Sequence, residues 1–541
     1  MKGLKIILFA VIFSFQSVAQ SNGFEVVKNL DLFNLIYLNL DKYYVEIPEI
    51  GSISKTGIDA MLNELDPYTV YYHEANMEDY RIMTTGQYGG IGALIRKVED
   101  YVIISEPYEG NPAQIAGLKA GDKILSIDGR SMKDKPTDEV SQALKGTKGT
   151  TLIVEYDRPF VGIGEVEVKR DEIKLPDIPY SGMVSENIGY INLSSFTQTA
   201  SKSVRDAYTL LKNEGMQKLI LDLRGNGGGL LIESVDIVNM FVPKDQPIVN
   251  TKSRILEENR VYTTRNEPIN LDIPIVVLID GNSASASEIV AGSLQDLDRA
   301  VVVGRTSFGK GLVQRTIDLK YGSKMKLTIA KYYTPSGRCV QKLDYSTKND
   351  GKVEEVPDSL ITIFKTKNGR DVIDGRGIEP DVEVEGTDLG RLTATMMINN
   401  VIFDYATLYH SKNDSIAQPK DFQLRKEEYA EFKKYVLEKD FEYSTASEEM
   451  LKKVLETAKE EGYDESMTAE YEALMKKVQA SKEKDLDLFK NQIIDLLESE
   501  IIARYYYQNG RILHSFKEDS SLKKAIELLN NETEYKSILR I

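Results

Sequence analysis

Ile273-Pro274-Ile275-Val276-Val277-Leu278-Ile279-Asp280-Gly281-Asn282-Ser283-Ala284-Ser285-Ala286-Ser287-Glu288 runs from an apolar, β-branched stretch into a turn of small residues. Ile289, Val290, Ser293, Leu294 and Leu297 follow at helical spacing. A strand, a tight turn and a helix in this order form the repeating unit of an α/β layer. The alternation continues on both sides. Ile188 to Leu193 and Lys218 to Leu223 read as strands, Lys202 to Lys212 and Leu230 to Phe241 as helices, and Arg299 to Gly304 as a further strand.

Outside residues 171–400, which hold this layered core, the pattern changes. Residues 86–170 are rich in short β-like runs (Tyr101 to Ser105, Lys123 to Ile127, Thr151 to Tyr156), with one helical segment near Thr137 to Leu144. Residues 24–85 predict a small helical domain, whose second helix stops at Asp66-Pro67-Tyr68 because the residue before proline is driven out of the helical region. Residues 401–541 form a helical extension by their pattern: Leu451, Val454, Leu455 and Ala458 share one face, and no proline follows Pro419. At 541 residues the chain is too long for a single core. Residues 1–19 read as a signal peptide, with Lys2 and Lys5 ahead of an apolar Ile6 to Phe15 run and a Ser17-Val18-Ala19 cleavage site. An exported and most simply periplasmic protein is expected, with no membrane span in the mature chain. The formal charge of -16 argues against tracking a nucleic-acid backbone, which demands a basic footprint.

The composition also restricts the chemistry. No histidine lies between His73 and His410, so a Ser-His-Asp triad cannot be drawn from the α/β segment, and the lone Cys339 excludes a thiolate zinc site. No metal or cofactor is expected. A hydrolase built here needs another base, and lysine serves where its surroundings favour the neutral amine. Ser285 stands at the strand-to-helix turn, where helix N–H groups face a developing oxyanion. Ser285-x-x-Glu288 is also the pattern of a helix capping box, in which the hydroxyl merely bonds an amide. Gly304 to Lys310 matches the core of a phosphate-binding loop, but Gly311 stands where Ser or Thr would hold magnesium, and Leu312 to Ile317 reads as a strand. Leu221-Asp222-Leu223-Arg224-Gly225-Asn226-Gly227-Gly228-Gly229 leads a strand into a glycine turn whose amides could line an anion site, or which is only a tight βα connection.

Together these segments resemble the C-terminal processing (tail-specific) peptidases. The resemblance rests on Asp222-Leu223-Arg224 with Asn226 to Gly229, on Ser283 to Ile289, and on Thr306 to Gly311 with Val313-Gln314. It rests also on Tyr333-Thr334-Pro335-Ser336-Gly337-Arg338 and Gly377-Ile378-Glu379-Pro380-Asp381. It implies a multidomain α/β protein with a ClpP/crotonase-like protease core and serine-type endopeptidase activity. Ser285 then falls on the nucleophile, Lys310 on the general base and Gln314 on the glutamine that orients it. The amide of Ala286 and that of Gly228 or Gly229 fall on the oxyanion hole, and Ser283 and Ser287 become structural. Gly227 departs from the proline of many relatives. The β-rich module resembles a PDZ domain, with Tyr88, Gly89, Gly90, Ile91 and Gly92 as the carboxylate-binding loop for substrate C-termini. Protein or peptide substrates with accessible C-termini are the implied partners, and a second copy of the chain or an adaptor is left open. The rival reading is a noncatalytic PDZ-bearing scaffold. The tail beyond about 400 matches none of these motifs and reads as a cap, a dimerisation arm or a partner surface.

Overall fold

The computed structural model describes residues 2–541 apart from 75–76, 350–351, 387–388, 440, 442 and 483. The side chains of residues 1–22, and with them the expected signal peptide, lie outside the described residues. Among the described residues no helix is long and apolar enough to cross a membrane. The chain divides into two compact units, Met1–Met77 with Gln314–Thr328, and Glu78–Val313 with Ile329–Ile541.

In the first unit, the helices Lys2–Tyr43 and Ile50–Asn63 precede a short strand, Val70–Tyr72, which pairs antiparallel with Lys324 to Lys326. Asp66 ends the second helix by drawing the turn around itself: Oδ1 accepts the Tyr68 and Thr69 amides at 2.8 Å, and Oδ2 accepts the Thr69 hydroxyl at 3.1 Å.

In the second unit, the core is a six-stranded sheet in the order Tyr180–Met183, Ile188–Asn192, Lys218–Asp222, Ile275–Ile279, Val301–Gly304, Val382–Glu383. Only the first pair is antiparallel. Side chains alternate across a strand, so a sheet buried on both faces needs apolar residues at every position. Ile191, Leu219, Leu221, Ile275, Val277 and Val302 meet the helices Ala200–Asn213, Leu231–Asn239 and Ala286–Asp296. Their neighbours Ile188, Tyr190, Ile220, Val276, Leu278, Val301 and Val303 face the opposite way. That second face is covered by Leu522, Ala525, Leu528, Leu529, Tyr535 and Leu539 of the last two helices, Ser520–Asn530 and Glu532–Leu539. The end of the tail is therefore built into the protease core. The helices Val401–Lys412, Lys426–Glu438 and Lys490–Ser515 close a separate core around Tyr405, Phe432, Ile493 and Ile501.

The β-rich module is an antiparallel sheet in the order Ala93–Val98, Tyr101–Pro107, Lys123–Ile127, Thr151–Arg158, Gly162–Lys169 around its own core. Ala93–Val98 is the edge strand, and the helix Thr137–Leu144 packs beside it. The module abuts the tail, where Glu106 pairs with Arg511 at 3.0 Å and the Arg96 guanidinium sits 4.1 Å from the Phe403 ring centroid.

Candidate active site

The Ile275–Ile279 strand and the Ala286–Asp296 helix hold the turn between them at the carboxyl edge of the sheet. Ser285 is half-buried there with φ 56° and ψ −109°. A side-chain-bearing residue adopts such a conformation only where its surroundings impose it. Two neighbours impose it. Ser283 donates through Oγ to the Leu223 carbonyl at 2.8 Å, and Ser287 donates through Oγ to the Asn226 carbonyl at 2.8 Å, which pins the turn to the glycine loop on both sides. The Ala284 amide donates to the same Asn226 carbonyl at 3.0 Å.

Of the expected capping box, the carboxylate half forms: the Ser285 amide donates to Glu288 Oε2 at 2.8 Å, while the Ser285 hydroxyl makes no capping bond. Glu288 does more than cap. Its fully buried carboxylate accepts the Lys310 amide at 2.9 Å on Oε2, and the Gly309 amide at 2.7 Å and the Ser307 hydroxyl at 2.5 Å on Oε1. Ser285 and Lys310 thus donate their main-chain N–H groups to one oxygen atom, and those nitrogens are no further apart than two hydrogen bonds laid end to end. Burial pushes the Glu288 carboxyl above its ordinary range, and the four donors pull against that shift.

The Lys310 segment is no phosphate loop. Leu312–Asp318 is a strand, and residues 305–311 cross to it without a helix. The Gly377 to Asp381 motif cradles this loop: the Ile378 amide donates to Ser307 Oγ at 2.7 Å, and a Cβ on Gly377, whose φ is 79°, would stand 2.7 Å from that oxygen. The Tyr333 to Arg338 motif locks the far end of the Ala286–Asp296 helix, where fully buried Arg338 donates to Gln295 Oε1 at 2.8 Å and Asp296 Oδ1 at 2.9 Å. Just ahead of it, the Tyr332 hydroxyl donates to the Ser285 carbonyl at 3.2 Å.

The two oxyanion candidates on the glycine turn differ. Gly228, at φ 98°, lies against Ser285: a Cβ there would be 2.9 Å from Ser285 Cβ and 3.0 Å from the Ala286 nitrogen. Gly229 instead packs on Phe196, whose carbonyl oxygen would be 2.4 Å from its Cβ. The Gly228 amide donates to Asn226 Oδ1 at 2.9 Å. Gln314 belongs to the other compact unit, on the Leu312–Asp318 strand, and its amide donates to Thr328 Oγ1 at 3.1 Å. Thr328 in turn donates its backbone N–H to Thr69 Oγ1 at 3.2 Å, which joins Gln314 to the Asp66 turn. In the β-rich module, Tyr88, Gly89 and Gly90 form a strand paired with Asp171 to Ile173 where the PDZ resemblance implies a loop, and only Ile91 and Gly92 lie outside it. Burial raises the Tyr88 phenol above its ordinary range.

Comparison with known proteins gives the family. The description "Peptidase family S41" matches residues 187–353, which hold Ser285, Lys310 and the glycine turn. A "Carboxy-terminal-processing protease" of Bartonella bacilliformis is 34% identical over 333 residues, 60% of this chain and 76% of that protein. The chain belongs to the S41 C-terminal processing proteases. This S41 protein is a serine protease, and the noncatalytic scaffold is set aside. It is also similar to a "Probable CtpA-like serine protease" of Staphylococcus aureus, 32% identical over 340 residues, 62% of this chain and 67% of that protein. The solved photosystem II D1 C-terminal processing protease shares 26% identity over 65% of the S41 chain and 86% of its own, with a TM-score of 0.37. A PDZ domain matches residues 81–155. The tail, for which the sequence offered no motif, matches "Probable PDZ-protease, C-terminal helical domain" over residues 392–529.

Two residues escaped the sequence reading. Glu288 was visible only as a local capping pattern, because its partners at 307–310 are distant in sequence. Asn226 was visible only as part of a turn, although its side chain and carbonyl knit Leu193, Gly228, Ala284 and Ser287 together.

Proposed function

We propose that this S41 protease is an exported, periplasmic endopeptidase that takes substrates by their C-termini and cleaves them with a Ser285/Lys310 dyad. Neutral Lys310 takes the Ser285 proton, and the alkoxide attacks the peptide carbonyl. The Ala286 amide and a glycine-turn amide stabilise the tetrahedral oxyanion, and water hydrolyses the acyl-enzyme. Gln314 orients the lysine, as the family pattern implies. The observation that carries this reading is the Glu288 carboxylate, which holds the main chain of both dyad members on one oxygen atom. It is supported by the strained Ser285 backbone at a helix N-terminus.

Gly228 is the better-placed glycine for the oxyanion, since it faces the Ala286 nitrogen. Its N–H must then leave Asn226 Oδ1 or be shared with the oxyanion. For the PDZ domain, we read the edge strand Ala93–Val98 as the place where a substrate tail adds to the sheet, with its carboxylate at the Ile91-Gly92 turn. Residues 1–19 are read as the export signal.

The test is mass spectrometry of an unfolded protein with an apolar C-terminus, incubated with the parent, Ser285→Ala and Lys310→Ala proteins. Cleavage by the parent and by neither variant is expected, with activity rising with pH as the amine loses its proton. Cleavage surviving in Lys310→Ala, or a flat pH profile, removes Lys310 from the base role.

A further inference from the structure

Arg224 opens the glycine turn, and two carboxylates hold it. Asp222, at the end of the Lys218–Asp222 strand, accepts the Arg224 main-chain N–H at 2.9 Å and its Nε at 3.0 Å on Oδ1, and Nη2 at 2.5 Å on Oδ2. Asp222 is itself fixed by the Tyr190 hydroxyl, which donates to Oδ2 at 2.6 Å. The second carboxylate comes from the far end of the chain. Asp519 takes the other edge of the guanidinium in a bidentate pair, Nη1 to Oδ1 at 2.9 Å and Nη2 to Oδ2 at 2.7 Å. It also caps the Ser520–Asn530 helix, since Oδ1 accepts the Leu522 amide at 2.9 Å. Both carboxylates are at most one-tenth exposed, so the pairing is little screened by solvent.

This helix is not a loose appendage that happens to touch Arg224. Phe516 packs edge-on against Tyr190 and Tyr180, with centroids at 4.9 and 5.5 Å, and Leu522, Leu528 and Leu529 are buried on the sheet. A carboxylate with so firm a footing can position whatever it holds. The catalytic turn begins directly after Arg224: the Gly225 amide bonds Asp280 Oδ1 at 3.0 Å, Asn226 binds Ala284 and Ser287, and Gly228 lies against Ser285.

We propose that Asp519, which lies outside the 187–353 protease match, is a positioning residue for the oxyanion turn. It fixes Arg224, and through Arg224 it sets how closely Gly228 approaches Ser285 and Ala286. The inference rests on the assignment of Ser285 as nucleophile and of this turn to the oxyanion hole.

The experiment uses Asp519→Asn in the full-length protein. Asn caps a helix about as well as Asp but gives Arg224 no negative charge and one acceptor instead of two. The expected result is a fall in kcat of at least tenfold, with KM for a tailed peptide within about twofold and a melting temperature within a few degrees of the parent. The rate at which a fluorophosphonate labels Ser285 falls in parallel with kcat, a change that a mere loss of helix capping would not produce. Should Asp519→Asn not fold, Asp519→Ser, which also caps and leaves Arg224 without the carboxylate, carries the same test. Parental kcat and labelling rate in a folded variant overturn the role of Asp519 while Ser285→Ala remains inactive. Cleavage that survives in Ser285→Ala fails the nucleophile assignment instead, and takes this inference with it.

Discussion

Removing residues 516–541 from this protein should destroy the protease core, although the deletion leaves every strand and every catalytic candidate in place. The segment buries Leu522, Leu528, Leu529, Tyr535 and Leu539 to within 7% of full burial, and Ala525 completely. Full burial of one large apolar side chain is worth about 1.5–3 kcal/mol, so these five contribute roughly 8–15 kcal/mol. That is the size of a typical domain's entire stability, about 5–15 kcal/mol. The sum omits the sheet side chains that the deletion would bare, Ile188, Tyr190, Ile220, Val276, Leu278, Val301 and Val303. It also omits the Tyr535 hydroxyl, which donates to the Ile275 carbonyl at 3.0 Å and accepts the Ile275 amide at 2.9 Å. The expected outcome is a truncated chain that aggregates or shows no cooperative protease-core transition in scanning calorimetry, and cleaves nothing. A soluble truncated protein melting within a few degrees of the parent and retaining peptide cleavage would refute the reasoning.

The site sets further outcomes. Glu288→Gln puts an NH2 group against two N–H or O–H donors, losing two charge-assisted bonds of about 1.5–3 kcal/mol each; peptide cleavage should fall at least 100-fold with a clear drop in melting temperature, and near-parental values of both would contradict the shared-carboxylate reading. Gly228→Ala drives a Cβ to 2.8 Å from the Ala284 oxygen at a φ of 98°, so the melting temperature should drop and kcat should fall by about 100-fold, on the scale of an oxyanion donor lost; parental values of both would contradict the close packing of Gly228 on this turn. His410 is held below its ordinary pKa by burial, then by Lys119, Arg504 and Arg158, with Asp414 opposing. The native state therefore favours the neutral ring, the unfolded chain binds the extra proton, and stability is lost as pH falls below about 6.5. His410→Gln should flatten the melting temperature between pH 7 and pH 5.5 relative to the parent, and an unchanged slope would exclude the ring as its source.

The layered core was legible because its signals are local. A strand buried on both faces must be apolar throughout, and Ile275 to Ile279 is. The motifs that mark the family were legible as an ordered set, since each needs a small or special residue at a fixed turn. The tail was not. Leu522, Ala525, Leu528 and Leu529 announce an amphipathic helix, but spacing within a helix says nothing about which distant surface it covers. Glu288 was half legible for the same reason: the contact with Ser285 is three residues away, and those with Ser307, Gly309 and Lys310 are made by folding. The strand through Tyr88, Gly89 and Gly90 was not legible from its glycines, of which Gly89 is required for close approach: a Cβ there would stand 2.1 Å from the Gly146 oxygen.

One carboxylate oxygen of Glu288 holds the main-chain N–H groups of both Ser285 and Lys310, so the segments that carry them are tied at a single atom. Any device that switches this enzyme on or off has little to gain by pulling Ser285 from Lys310, since that would strip a buried carboxylate of its donors. The glycine turn differs: Gly225, Gly227 and Gly229 are exposed, and the Gly228 amide is engaged by Asn226 Oδ1. In the proposed reaction, freeing the Gly228 N–H for an oxyanion costs one hydrogen bond, whereas parting Ser285 from Lys310 costs bonds to a fully buried carboxylate.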